Sequence, residues 1–205
     1  MNIYLVEQEH SAKVLIENIY KEENEFKHLY EQIEVLKKHF EYLQWDFTTA
    51  EQGEDFSDMQ IQNKFIKMTK KHEELTETKN EIFKLEKSIQ EKESSMNSLS
   101  MSLLQIAKQG ISTVHGELKN CPNGKLLKSE PLKNVIWQGR NQSIHSEEGN
   151  PRKSTIDCFT NLANDFGSDF DIITDPKANK AKKVIDLLDW KNYKNYENDM
   201  ISLIG

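Results

Sequence analysis

Arginine is almost missing from this chain. Of 27 Lys and Arg residues only Arg140 and Arg152 are arginine, and they flank one segment, GRNQSIHSEEGN (139–150). Cysteine is equally scarce. Cys121 and Cys158 cannot by themselves build a disulfide framework or a zinc site, and they read as reduced thiols of a cytoplasmic protein. With 8 Gly and 4 Pro, long stretches are free of breakers, which disfavours a turn-rich sheet protein and favours extended helices. No apolar run approaches the roughly 18 residues of a membrane helix. The start MNIYLVEQEHSAK lacks the basic region and apolar stretch of a secretory signal. Also missing are GxxxxGK[ST], GxGxxG and HExxH, so nucleotide hydrolysis, dinucleotide binding and zincin chemistry have no motif. No metal or other cofactor is expected.

Charge, by contrast, is plentiful at 30% of residues and unevenly spread. Residues 111–205 balance thirteen basic against thirteen acidic groups, so the net charge of -7 lies wholly within residues 1–110. An acidic first half repels a phosphate backbone and excludes broad, charge-driven coating of nucleic acid. The neutral second half leaves room for a local phosphate site.

Residues 19–47 carry a heptad seam: Ile19, Phe26, Ile33, Phe40 and Phe47 in one position, Leu29, Leu36 and Leu43 in the other. Spacings of three and four keep these side chains on one stripe of a helix. The pattern stops at TTAEQGEDFSD, where Gly53 suits a turn and Ser57 or Asp58 suits a helix cap. A second helix then repeats Ile61, Met68, Leu75, Ile82, Ile89, Met96 and Leu103 every seven residues. Its other seam position, read as Phe65, His72, Lys79, Glu86 and Glu93, is poor. The expectation is an antiparallel helical hairpin of about residues 8–50 against 58–108, projecting roughly 60–75 Å.

From Leu103 the composition turns apolar, and NCPNGK (120–125) supplies turn chemistry. Short helices are expected after it. The first is capped by Ser129, with Pro131 in its opening turn and Gly149 past its end. The next opens at Asn150-Pro151 and ends at Phe166-Gly167, a third opens at Asp175-Pro176, and the last starts near Asn192. The fold expected is all-α: a coiled-coil-like hairpin arm over residues 1–110 and a compact helical bundle over 111–205, the end of the second long helix belonging to either.

Taking residues 130–148 as one helix puts Leu132, Val135, Ile136, Gly139 and Ser143 on an inward face. Gln138, Asn141, His145 and Glu148 fall on a second stripe, with Arg140 beside it. A solvated helix face is the plain alternative. Yet where lysine is the default cation, a retained arginine suits a position that needs a planar fork for bidentate contact with phosphate or carboxylate. His115 reads as a packed or capping residue, Cys158 as core, and Trp137, Trp190 and the C-terminal tyrosines as packing groups.

The stretch RNQSIH resembles the motif of the HEPN family, helical domains many of which are metal-independent ribonucleases of toxin, antiphage-defence and RNA-processing systems. That motif is an arginine followed by a polar residue and, after four to six positions, a histidine; here these are Arg140, Asn141 and His145. The resemblance implies an endoribonuclease with Arg140, Asn141 and His145 catalytic and Gln138 and Glu148 in support. His145 would act as general acid or base, its last-turn position and the neighbouring Glu147 and Glu148 favouring the protonated ring. Arg140 would offset charge growing on the phosphate, and Asn141 would orient the imidazole or bind a phosphate oxygen. RNA is then the substrate, a homodimer the expected assembly, and the hairpin a platform for an inhibitory or defence-complex protein. Two other classes remain open: a non-catalytic helical binding module that keeps the polar stripe for a ligand, and a coiled-coil adaptor whose hairpin carries the function.

Overall fold

A computed structural model describes residues 2–49 and 58–205. The turn expected around Gly53, the cap at Ser57 or Asp58 and the side chain of Ile61 lie outside what is described. The chain is all-α, with six α-helices among the described residues: α1 (Ile3–Thr49), α2 (Asp58–His115), α3 (Leu132–Ile144), α4 (Lys153–Phe166), α5 (Ala181–Leu187) and α6 (Tyr193–Ile204). One two-residue antiparallel pair, β1 (Leu126–Leu127) with β2 (Glu130–Pro131), leads into α3. No helix is long and apolar enough to cross a membrane, among the described residues.

Two compact units emerge, Met1–Glu23 with Ser94–Gly205, and Asn24–Glu93. The division therefore falls near residues 23 and 94 rather than at residue 110. The physical reason is the inward face of the outer helix segments. Leu5, Ala12, Ile16 and Ile19 of α1 and Leu103, Leu104, Ala107 and Ile111 of α2 are buried in the same core as Leu132, Phe159, Val184 and Tyr196. Burying each of the leucine and isoleucine side chains among them stabilises by about 1.5–3 kcal/mol, so these two segments are integral to the bundle. Gly110 is part of this fit. A Cβ there would lie 2.8 Å from the Tyr4 ring, whose hydroxyl donates to the Ile106 carbonyl at 2.8 Å.

The unit Asn24–Glu93 is the helical hairpin. On α1 the expected seam is correct: Ile33 and Leu43 are buried, and Phe26, Leu29, Leu36, Phe40 and Phe47 half-buried. On α2 the second seam position needs correcting. Phe65, His72, Lys79, Glu86 and Glu93 are exposed, and the inward positions are instead Thr78 and Leu85 with the stems of Lys71 and Lys92, three residues after each Met68-type position rather than four. Ion pairs cross between the helices in antiparallel order: Glu25–Lys92 at 2.5 Å, Lys37–Glu86 at 3.0 Å, His39–Glu74 at 3.6 Å and Asp46–Lys71. Pairs at the surface, such as Lys37–Glu86 and His39–Glu74, contribute about 0–1 kcal/mol each, so the seam holds the hairpin and the pairs favour its register.

In the bundle, the turn at NCPNGK is present, with Gly124 at φ +66° and Leu203 and Leu132 packed where a side chain would stand. Helix starts differ from the expected caps in three places. Pro131 occupies the N-cap of α3, while Ser129 gives its N–H and hydroxyl to Asp165, at 3.0 and 2.5 Å. Arg152, not Asn150, is the N-cap of α4. Asp175 accepts from the Lys177 N–H in a turn, so α5 waits until Ala181. The last start is as expected: the Asn192 side chain caps α6 by accepting from the Asn195 N–H at 3.0 Å.

Candidate active site

Helix α3 packs inward through Leu132, Val135, Ile136, Gly139 and Ser143, all buried as the sequence indicates. Gly139 permits close approach to α5, since a Cβ there would meet Val184 at 3.0 Å. Gln142, unassigned by the sequence reading, is also buried and fixes the loop before α5. Its amide donates to the Ala178 carbonyl at 2.7 Å and accepts from the Lys180 N–H at 3.0 Å. The helix ends at Ile144, not at residue 148. His145 is its C-cap, and Ser146–Glu148 form a 3-10 turn closed by Gly149 in the left-handed region.

This ending shapes the site. Arg140, Asn141, His145 and Glu148 open onto a cleft of about 210 Å³, whose other walls include Gln142, Arg152, Thr155 and Pro176. Both arginines of the chain therefore reach one cleft. Gln138 does not line it. The 3-10 turn replaces the extra helical turn, and Gln138 stays buried behind Asn141, accepting from the Asn141 amide at 3.4 Å and from the Thr155 hydroxyl at 2.9 Å. The expected stripe of four thus resolves into three cleft residues and one buried support.

Arg140 is held from two sides. Its Nε donates to Gln105 Oε1 on α2 at 2.6 Å and its Nη1 to Asn141 Oδ1 at 3.3 Å. Both acceptors are neutral amides, which fix the fork without cancelling its charge. Arg152 is exposed at the start of α4, and among the described residues neither guanidinium pairs with a carboxylate. Lys108 adds to the positive surroundings; it lies 4.4 Å over the Trp137 ring, and burial, with the nearby Arg140 charge, lowers its pKa below the usual lysine value.

His145 is half-exposed, and its Nδ1 lies 2.7 Å from Glu148 Oε1. An ionised carboxylate only accepts, so Nδ1 carries a hydrogen and Nε2 is the atom left for a ligand. The arrangement therefore joins a charged planar donor, an amide and an oriented imidazole in one cleft, suited to holding an anion and moving a proton beside it.

The remaining polar candidates serve structure. His115 Nε2 meets the Leu203 carbonyl at 2.7 Å near the end of α6. Cys158 is buried, and burial with the adjacent Glu130 carboxylate pushes its thiol far above the usual range; burial also raises Cys121. Trp190 is fully buried and donates to Asp199 at 2.9 Å. Sequence reading missed Gln105, Arg152, Thr155 and Pro176 as site residues. Only Arg152 carried a signal, its rarity; the others arrive through tertiary packing.

No protein-family model, no curated protein and no solved structure matches this chain.

Proposed function

We propose that this chain is a HEPN-like, metal-independent endoribonuclease whose active site is the cleft of Arg140, Asn141 and His145. One observation carries the reading: an uncancelled arginine and a carboxylate-oriented imidazole, five residues apart at the end of α3, open into the same cleft. RNA brings its own nucleophile. The 2′-hydroxyl oxygen attacks phosphorus, its proton leaving to water, and the bond from phosphorus to the 5′-oxygen breaks. His145 Nε2 gives its proton to that departing oxygen. Arg140 donates to the non-bridging oxygens as their charge grows, and removing one such donor typically costs about 10²–10³ in rate. Asn141 keeps the fork aimed through its 3.3 Å contact with Nη1. Products are a 2′,3′-cyclic phosphate and a 5′-hydroxyl.

A homodimer with two copies of α3 facing one groove belongs to the same proposal, as does a role as toxin or defence effector. The test is direct. Purified chain, with chelator present, cuts single-stranded RNA, and Arg140→Ala and His145→Ala each abolish cutting while leaving helicity intact. RNA that stays whole with the wild-type chain refutes the nuclease.

An adaptor role for the hairpin has its own support. Val35, Tyr42, Trp45, Phe65 and Phe83 are exposed on α1 and α2 within Asn24–Glu93, large apolar side chains that a partner could cover. Under this reading the hairpin holds a partner protein while the cleft performs the chemistry. Charge substitutions at Tyr42 and Trp45 would then abolish capture of that partner and leave RNA cutting unchanged.

A further inference from the structure

Arg152 takes no part in the chemistry just described, yet it lines the same cleft from a different element, the N-cap of α4. Some lysines of the same unit are paired, Lys182 with Glu23 and Asp186, Lys183 with Asp169, Lys125 with Asp199 and Lys194 with Glu197, while others, Lys153 and Lys177 among them, have no ion pair among the described residues. What sets the two arginines apart is that both open onto one cleft. Arg140 spends two N–H groups on neutral amides, and Arg152 has no ion-pair or hydrogen-bond acceptor for its side chain among the described residues. Two guanidinium groups open onto one cleft against the single lining carboxylate of Glu148 raise the local potential, a cost that a bound polyanion removes. No side chain caps α4, so the positive end of that helix adds to the same field.

Exposure separates the roles of the two arginines. Arg140 is half-buried and pinned beside Asn141, one turn before His145, which under the nuclease reading lets both act on one phosphate. Arg152 is exposed and hydrated. A hydrated, unpinned cation contributes to capture and ground-state affinity rather than to a charge that develops only in the transition state. The size of the cleft points the same way. At about 210 Å³ it is smaller than the roughly 300–1,000 Å³ pockets that enclose whole small ligands, which suits a short piece of a polymer that continues past the rim.

We propose that Arg152 is a substrate-binding residue that grips a phosphate flanking the reacting one, so that the site selects a strand with consecutive phosphates over a single-phosphate ligand. This rests on the nuclease reading for the identity of the strand, and the test is built to score the two apart. Binding is measured on the full-length chain with 2′-O-methyl RNA, which cannot be cut by 2′-oxygen attack. Two ligands are compared, a dinucleotide with one internal phosphate and a tetranucleotide with three. Arg152→Ala is expected to weaken the tetranucleotide at least tenfold, to reduce the slope of log affinity against log salt by about 1, and to leave the dinucleotide unchanged. Arg152→Lys restores part of the affinity. On cleavable RNA, Arg152→Ala raises KM at constant kcat, whereas Arg140→Ala lowers kcat. Equal tetranucleotide affinity in Arg152→Ala overturns the proposal, as does a fall in kcat matching that of Arg140→Ala or a wild-type chain that binds neither ligand. A wild-type chain that binds but leaves RNA intact removes the nuclease reading, and the affinity ratio still decides the role of Arg152.

Discussion

Replacing Arg140 by lysine keeps the charge and removes the geometry, which makes it the sharpest perturbation of the site. The guanidinium has five N–H donors; two go to Gln105 and Asn141, and the remaining three are available to a phosphate. A lysine ammonium cannot hold both amides and also meet two phosphate oxygens. Hydrogen bonds to charged groups contribute about 1.5–3 kcal/mol each when shielded, but Arg140, Gln105 and Asn141 are only half-buried and their freed amides turn to water. The stability loss is therefore set at about 1 kcal/mol, a Tm change of about 2–4 °C for a chain of this size. The catalytic loss is much larger. Losing an aligned donor to the transition state costs about 10²–10³ in kcat, equivalent to about 2.7–4 kcal/mol. The assay is single-turnover cleavage of an end-labelled RNA, with thermal unfolding followed in parallel. Arg140→Lys cutting within about threefold of wild type would refute the argument that the fork, rather than charge alone, stabilises the transition state. A Tm drop well above 4 °C would show instead that the residue is structural.

Glu148→Ala removes the acceptor on His145 Nδ1, and kcat should fall by about tenfold with no loss of RNA affinity; equal kcat would mean the 2.7 Å contact does not orient the ring. Gln138→Leu leaves the buried Thr155 hydroxyl without its acceptor and frees the Asn141 amide, and should cost about 1–3 kcal/mol in chemical denaturation, whereas a change under about 0.3 kcal/mol would contradict the buried-support role. The Asp165 carboxyl is held below its usual pKa, first by the Ser129 hydroxyl and then by the Ser129 N–H. Because its folded value is depressed, its contribution to stability is present above the unfolded carboxylate value and lost as pH falls through the folded one. Ser129→Ala should flatten the acid limb of the unfolding curve there, and an NMR titration that places Asp165 at or above the ordinary carboxylate range would contradict the assignment.

Much of the fold was legible because periodicity reports burial directly. The seam on α1 is legible at Ile33 and Leu43, both buried, since a large aliphatic residue every three and four positions has one inward solution. On α2 the same logic slipped by one position. Thr78 and the Lys71 and Lys92 stems are not apolar letters, and exposed Phe65 lent the wrong register an aromatic. Helix starts failed where a polar side chain had a more distant partner. Ser129 serves Asp165 across 36 residues, and Asp175 closes its own turn. Along α3 packing as well as the helix end decided the site. Sequence spacing places Gln138 and His145 on one stripe, yet Thr155 of α4 packs against Gln138 and buries it, while His145 at the helix end lines the cleft. Gln105 and Thr155 join the site only through packing of α2 and α4 around α3, which no local pattern encodes.

Because attack by the 2′-oxygen and attack by water leave different ends on RNA, the chemistry of the cut termini tests the central claim most directly. Mass spectrometry of a defined oligoribonucleotide after incubation with purified chain and chelator should find 2′,3′-cyclic phosphate and 5′-hydroxyl termini, absent when His145→Ala is used. Termini carrying 5′-phosphate, or an oligonucleotide recovered whole from a chain shown to bind it, would contradict the account.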